Sequence, residues 1–125
     1  MKTLQAGVLL VGLALLSCAP KSGGAYPTVS VQDLKSAVDS GAYVLDVRTP
    51  QEFAEGHIAS AVNLPLDQVQ GRASEVPGDR PVYVICRSGS RSAQASQILH
   101  KAGKDIQNVS RGMNGWASAG YPLAR

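Results

Sequence analysis

The chain is short and carries little net charge. It has 125 residues, of which 44% are apolar and 17% charged, and its formal net charge is +3. This length allows one domain, and the composition is that of an ordinary globular protein. So small an excess of positive charge gives little support to nucleic-acid binding. We therefore expect one globular domain with no nucleic-acid partner.

The first 17 residues have the pattern of an export signal. Met1 and Lys2 give a short basic start, and residues 4–16 form an uncharged run rich in Leu, Val, Ala and Gly. Because a membrane-spanning helix needs ~20 apolar residues, a permanent transmembrane anchor is the weaker interpretation. Residues 15–18 read Leu-Leu-Ser-Cys, which resembles the lipobox of bacterial lipoproteins. The resemblance implies that residues 1–17 are removed and that Cys18 carries a lipid; a simple cleaved signal is the alternative.

Export bears on the location of the protein and on its two cysteines. We expect the mature chain in the bacterial cell envelope, either periplasmic or held to a membrane by the lipid on Cys18. Residues 18–27 contain Pro, Gly, Ser and Lys and are typical of a flexible tether. If Cys18 is lipidated, Cys86 is the only free thiol and no internal disulfide can form. Because an unused free thiol is a liability in an oxidising compartment, this count predicts a function for Cys86.

The remaining residues, 28–125, are predicted to form the domain, and they alternate between strand and helix patterns. Strands are predicted at 28–30, 43–47, 61–64, 82–85 and 108–110. Helices are predicted at 31–40, 50–55, 90–102 and 114–119, with a short helical or irregular connection over 66–76. This alternation favours an α/β fold in which a small parallel sheet has helices on both faces.

Two of these helices carry more detailed signals. Thr49 is the predicted N-cap of the second helix, with Pro50 at its first position and Glu52 completing a capping box. In helix 90–102 the apolar residues recur at i, i+3, i+4 and i+7, which predicts one buried stripe. The stripe consists of Ala95, Ile98, Leu99 and Ala102.

A cysteine-containing loop joins strand 82–85 to helix 90–102. Its residues 86–92 read CRSGSRS. Unpaired backbone N–H groups and the helix dipole attract an anion at a helix N-terminus, and the pKa of a thiol can fall there from ~8.5 to between ~3.5 and ~7.5. Arg87 and Arg91 are expected to bracket the sulfur with positive charge. The pattern predicts a reactive Cys86 thiolate in a substrate-binding cradle made of Arg87, Ser88, Gly89, Ser90, Arg91 and Ser92.

Three stretches resemble the rhodanese family. Residues 46–65, DVRTPQEFAEGHIASAVNLP, are similar to a signature of that family, and residues 86–92 match its sulfurtransferase loop. Residues 111–116, RGMNGW, resemble its C-terminal glycine and tryptophan element. The pattern departs from the family at Ser60 and Met113, which are peripheral to the sulfur chemistry. Together the three stretches extend the resemblance over essentially the whole predicted domain.

The resemblance implies a three-layer rhodanese-like fold and a sulfurtransferase that works through a persulfide on Cys86. The implied donor is thiosulfate or another small anion, and the implied acceptor is a thiol or cyanide. Neither a metal nor a cofactor is expected, and the domain is expected to be a monomer. Asp46 and Arg48, at a strand end near the loop, are expected to shape the site through ion pairs.

Two other functions stay open. A rhodanese-like binding or persulfide-carrier module would serve a protein partner. A cysteine-dependent phosphatase or arsenate reductase is disfavoured, because those families place one more residue between cysteine and arginine than lies between Cys86 and Arg91. We expect structural roles for His57 and His100, and a core position for Trp116.

Overall fold

The computed structural model describes residues 25–125. The predicted signal, Cys18 and the tether up to residue 24 lie outside the described residues. Tyr26 and Pro27 are already attached to the domain, because the Tyr26 hydroxyl donates to the Ala93 carbonyl at 3.0 Å and Asn108 N–H donates to the Pro27 carbonyl at 2.9 Å. Tyr26 and Pro27, which lie in the predicted tether 18–27, are thus hydrogen-bonded to the rest of the described chain. Within 25–125, no helix has both the length and the apolar character needed to cross a membrane.

Strands and helices alternate along the described chain. The strands are β1 Thr28–Val29, β2 Tyr43–Asp46, β3 Val62–Asn63, β4 Val82–Ile85 and β5 Ile106–Val109. The helices are α1 Val31–Asp39, α2 Pro50–Glu55, α3 Leu66–Val69, α4 Ser90–Lys101 and α5 Gly112–Ser118, with a short 3-10 helix at Ala73–Glu75.

The five strands form one parallel sheet in the order β1-β5-β4-β2-β3. Strand β4 is central, and in its register with β2 the residue Asp46 lies opposite Ile85. The carboxyl ends of parallel strands meet at one edge of a sheet, which is where such folds place their ligand crevice. Cys86 directly follows β4 and so lies at the middle of that edge.

Helices cover both faces of the sheet, which confirms the predicted α/β architecture. On one face Val82 and Val84 pack with Leu99 of α4 and Val69 of α3. On the other face Val44 and Ile85 pack with Leu34 of α1 and with Met113 and Trp116 of α5. The period-2 alternation of side chains in β4 thus supplies two separate cores.

Three predictions from the sequence need correction. Strand β5 begins at Ile106 rather than Asn108, and helix α5 begins at Gly112 rather than Asn114. Ala102 is exposed and caps the end of α4, so its predicted place in the buried stripe was wrong. The buried stripe consists instead of Ser92, Ala95, Ser96 and Leu99. The i, i+3, i+4, i+7 spacing was right, but the observed stripe begins three residues earlier, at Ser92, and shares only Ala95 and Leu99 with the predicted one.

A buried ion pair closes the end of β2. Arg48 Nη2 lies 2.7 Å from Asp46 Oδ2, and Arg48 Nε donates to both carboxylate oxygens at 2.9 and 3.1 Å. The same guanidinium donates to the carbonyls of Gly56 at 2.9 Å and Glu52 at 3.3 Å. The ion pair expected for Asp46 and Arg48 is thus confirmed. The Arg48 guanidinium also joins β2 to the carbonyls at both ends of the last turn of α2.

The structure predicts a large penalty when one member of this pair is removed. Arg48→Met leaves the fully buried Asp46 carboxylate without its partner, so the free energy of unfolding should fall by about 3–5 kcal/mol. Urea denaturation measures the change. The control is Arg72→Met, which removes an exposed ion pair with Glu75 and should change stability little. A small loss in Arg48→Met, equal to that in the control, would show that the buried pair does not anchor α2.

Candidate active site

The sulfur of Cys86 lies inside a cradle of backbone N–H groups. Cys86 is 1% exposed, and the N–H of Gly89 donates to its Sγ at 3.1 Å. Gly89 has φ +119°, a left-handed conformation that turns the chain back over the sulfur and into α4. The hydroxyl oxygen of Ser92, which is buried in the first turn of α4, lies 3.1 Å from the Gly89 carbonyl oxygen and within hydrogen-bonding reach of the sulfur, so its one proton goes to either acceptor in turn.

This cradle sets the acidity of the thiol. Burial raises the pKa of Cys86, but hydrogen bonds from the Ser92 hydroxyl and from the N–H groups of Ser92, Gly89 and Ser88 outweigh it. The pKa of Cys86 therefore lies below its ordinary value, as the sequence predicted. Hydrogen bonding to the charged form is the chief cause of this lowering, rather than the arginine charges named above.

The pKa predicts the pH dependence of thiol labelling. Because hydrogen bonds favour the thiolate, the iodoacetamide labelling rate of Cys86 should reach half its maximum at a pH below that of an ordinary cysteine. Ser92→Ala removes one donor and should move this midpoint to higher pH. Ser96→Ala is the control, since Ser96 is equally buried in α4 but contacts Asn108 instead. If both variants shift the midpoint equally, the Ser92 hydroxyl has no direct effect on the sulfur.

The two arginines of the loop are both held by Glu52. Arg91 forms a bidentate pair, with Nη1 2.7 Å from Oε1 and Nη2 2.9 Å from Oε2 of Glu52. Arg87 Nε adds a third contact to Oε2 at 3.2 Å. The two guanidinium groups that were expected to bracket the sulfur with positive charge are thus both paired with one carboxylate. Glu52, predicted only to complete the capping box of α2, is a member of the site that the sequence did not reveal.

Helix α2 brings Glu52 to this place. The predicted capping box is present: the Glu52 N–H donates to Thr49 Oγ1 at 3.1 Å, and Thr49 N–H donates to Glu52 Oε1 at 3.1 Å. Hydrogen bonds from Arg91, joined by those from Thr49 and Arg87, hold the pKa of Glu52 far below its usual range against the effect of burial. Its carboxylate therefore stays ionised, and it ties α2 to the loop.

Helix α5 supports the loop from behind. The N–H of Met113 donates to the Cys86 carbonyl at 2.8 Å, and that of Asn114 donates to the Arg87 carbonyl at 3.0 Å. These contacts require Gly112, whose φ is +50° and whose place leaves no room for a Cβ against the Cys86 and Arg87 carbonyls. The N-terminus of α5 and the loop are thus packed backbone against backbone.

Gly112→Ala tests this support. A Cβ at residue 112 would lie only 2.6 Å from the Arg87 carbonyl oxygen, so the variant adds a backbone clash to the strain of a positive φ. The free energy of unfolding should fall by at least about 3 kcal/mol. Gly103 also has a positive φ, +87°, but a Cβ there meets nothing within 4 Å, so Gly103→Ala should lose only about 1–2 kcal/mol. Equal losses in a denaturation series would mean that the clash relaxes freely.

The other residues predicted for the site lie around the cradle. Ser88 and Ser90 are exposed, and Ser90 begins α4. Asp46 and Arg48 adjoin the loop through the strand pairing, because the N–H of Val47 donates to the Ile85 carbonyl at 2.9 Å. A groove of about 170 Å³ runs beside the loop between α2 and α5, lined among others by Arg87, Glu52 and Asn114.

The histidines and the tryptophan have structural surroundings. His57 Nδ1 lies 2.7 Å from the Phe53 carbonyl, and its ring stacks on Phe53 with centroids 3.8 Å apart. His100, in the last turn of α4, packs against Tyr26, and their ring centroids are 5.8 Å apart. Trp116 is buried in the core and donates to the Pro122 carbonyl at 2.8 Å. These contacts agree with the structural roles expected for all three.

Comparison with known proteins identifies the family. Residues 30–119 match the rhodanese-like domain family. The chain belongs to the rhodanese family. A crystal structure of a rhodanese-related protein from Thermoplasma volcanium superimposes with a TM-score of 0.75 at 35% identity, covering 79% of this chain and 98% of that one. The rhodanese fold is therefore shown both by sequence and by architecture.

Several curated relatives carry names that concern sulfur. A protein named sulfurtransferase from Allochromatium vinosum is 42% identical over 81 residues, which are 64% of this rhodanese and 76% of the relative. A Bacillus subtilis protein named as a candidate sulfur carrier is 36% identical over 99 residues. Those residues are 77% of this chain but 54% of the relative, so this rhodanese spans about half of that protein's length.

Proposed function

We propose that this rhodanese is a sulfurtransferase that carries sulfane sulfur as a persulfide on Cys86. The observation that carries the proposal is the buried thiol in its N–H cradle, with the Gly89 N–H at 3.1 Å from Sγ. Such a cradle stabilises a sulfur anion without a general base. The sulfurtransferase name of the Allochromatium vinosum relative supports the same reaction.

The donor in this proposal is thiosulfate or a related small anion. The Cys86 thiolate attacks the outer sulfur of thiosulfate, a new S–S bond forms, and the old S–S bond breaks with release of sulfite. The persulfide anion keeps the negative charge that the thiolate brought, so no proton has to move. A thiol or cyanide then attacks the outer sulfur and regenerates the thiolate.

Intact-mass analysis tests the persulfide. Purified protein treated with thiosulfate should gain one sulfur atom, about 32 Da, and lose it again when cyanide is added. Cys86→Ser should gain nothing. If the native protein gains no sulfur from thiosulfate or from mercaptopyruvate but releases phosphate from an aryl phosphate, the phosphatase interpretation replaces this one.

The second step separates an enzyme from a carrier. The candidate sulfur carrier among the relatives favours the alternative that the domain passes its sulfur to a protein partner. An enzyme should discharge and reload repeatedly in the presence of a small thiol. A carrier should load once and keep its sulfur in the presence of that thiol, although cyanide removes the sulfur from both.

We also propose that the protein acts in the cell envelope, with a lipid on Cys18. The sequence of residues 1–18 supports this. Expressed in a bacterium, the full chain should fractionate with membranes, and Cys18→Ala should release it from them. An unchanged distribution would favour a simple cleaved signal or no export.

A further inference from the structure

The carboxylate of Glu52 neutralises the positive charge of the sulfur-binding loop. Arg91 gives it two hydrogen bonds and Arg87 a third, at 2.7, 2.9 and 3.2 Å. Both oxygens of the carboxylate are engaged with the fork of Arg91, which is the strongest arrangement for an arginine and a carboxylate. An anion that enters the cradle therefore competes with Glu52 for these two side chains.

Glu52 is not easily displaced. Its side chain is only 17% exposed, and Thr49 donates to it from both the backbone N–H and the hydroxyl, at 3.1 and 3.2 Å. The backbone of its helix is also held, because Arg48 donates to the carbonyls of Glu52 and Gly56. The carboxylate is thus fixed beside the loop in the structure that a donor meets.

A count of charges shows what this does to the site. The positive charges of Arg87 and Arg91 are balanced by Glu52 and by the Cys86 thiolate, and Asp46 balances Arg48. What attracts an anion is then mainly the N–H cradle and the start of α4, equivalent to roughly +0.5 of a charge. That partial charge suits an anion with a single charge better than a dianion, because the attraction grows in proportion to the charge of the anion whereas the cost of desolvating the anion grows with the square of that charge.

We propose that Glu52 is a specificity-determining residue, which selects singly charged sulfane-sulfur donors, such as persulfides and thiosulfonates, over dianionic thiosulfate. The inference rests on the proposed function, because it concerns the donor for sulfur loading of Cys86. Glu52 acts through Arg87 and Arg91, so it positions charge and does not touch the reacting sulfur.

A matched pair of donors isolates the effect of charge. Thiosulfate carries two negative charges and releases sulfite, whereas methanethiosulfonate carries one and releases methanesulfinate. In both reactions the thiolate forms an S–S bond to the outer sulfur while the donor's own S–S bond breaks, and the leaving group takes the electron pair. Any difference in response to a change of site charge therefore comes from the donor's charge.

The test compares native protein with Glu52→Gln and Glu55→Gln. Rapid-quench intact mass gives the second-order rate constant for sulfur loading with each donor. Because Coulomb energy scales with donor charge, Glu52→Gln should raise this constant about tenfold for thiosulfate but only about threefold for methanethiosulfonate. The rate constant should rise because the variant reaches half-saturation at a lower donor concentration, and this increase should shrink as salt is added.

Glu55→Gln is the control for charge alone. Glu55 lies on the same helix but is exposed, and in residues 25–125 its side chain has no ion-pair partner. This variant should change both rate constants by less than about twofold, because exposed charges are screened. Glu52→Asp keeps the charge, so the ratio of its loading rate constants for the two donors should equal the native ratio, even if the shorter side chain slows loading with both.

Three results would overturn the inference. One is an equal change for both donors in Glu52→Gln, which would mean that Glu52 only holds α2 in place. Another is a thiosulfate gain in Glu55→Gln as large as that in Glu52→Gln. The last is a native protein that loads much faster from thiosulfate than from methanethiosulfonate. If native protein loads from neither donor, the proposed function fails instead.

Discussion

The rest of the site depends on the hydrogen bonds that the guanidinium group of Arg48 makes. This group binds the Asp46 carboxylate at the end of β2 and the carbonyls of Glu52 and Gly56 at the end of α2. The side-chain amide of Asn63 donates to the Asp46 and Arg48 carbonyls, at 3.0 and 2.9 Å, and so joins β3 to the same network. One cation thereby fixes the helix that carries Glu52 relative to the strand beside β4.

This arrangement explains how buried charges are tolerated near the loop. Burying an ion pair is costly unless further hydrogen bonds satisfy its remaining donors and acceptors. Arg48 meets this condition through the two carbonyls, and Glu52 meets it through Thr49 and the two loop arginines. The two groups form two networks that meet at α2, one through the backbone of the helix and one through the side chain of Glu52. The loop is consequently held by rigid neighbours rather than by its own residues alone.

The sequence predicted best what depends on near neighbours in the chain. The capping box of Thr49 and Glu52 spans three residues, and the strand before Cys86 is a short apolar run between turn signals, so both were recognised. The pair of Glu52 and Arg91 spans 39 residues and depends on the packing of α2 against the loop, which no local pattern encodes. The different stripe in α4 has a similar origin, since Ser92 is buried beside Gly89 of the loop and Ser96 is buried beside Asn108 of β5, and polar side chains give no sign of such burial in the sequence.

The burial of Cys86 restricts what can reach its sulfur. A thiol that is 1% exposed is out of reach of a flat protein surface, whereas a small molecule or a cysteine on a protruding segment can approach it. In the proposed persulfide the side chain is longer by one S–S bond of about 2.05 Å, and the negative charge lies on the added sulfur. The loaded and the empty cradle thus differ in shape and in the position of their negative charge, and this difference is what an incoming acceptor meets.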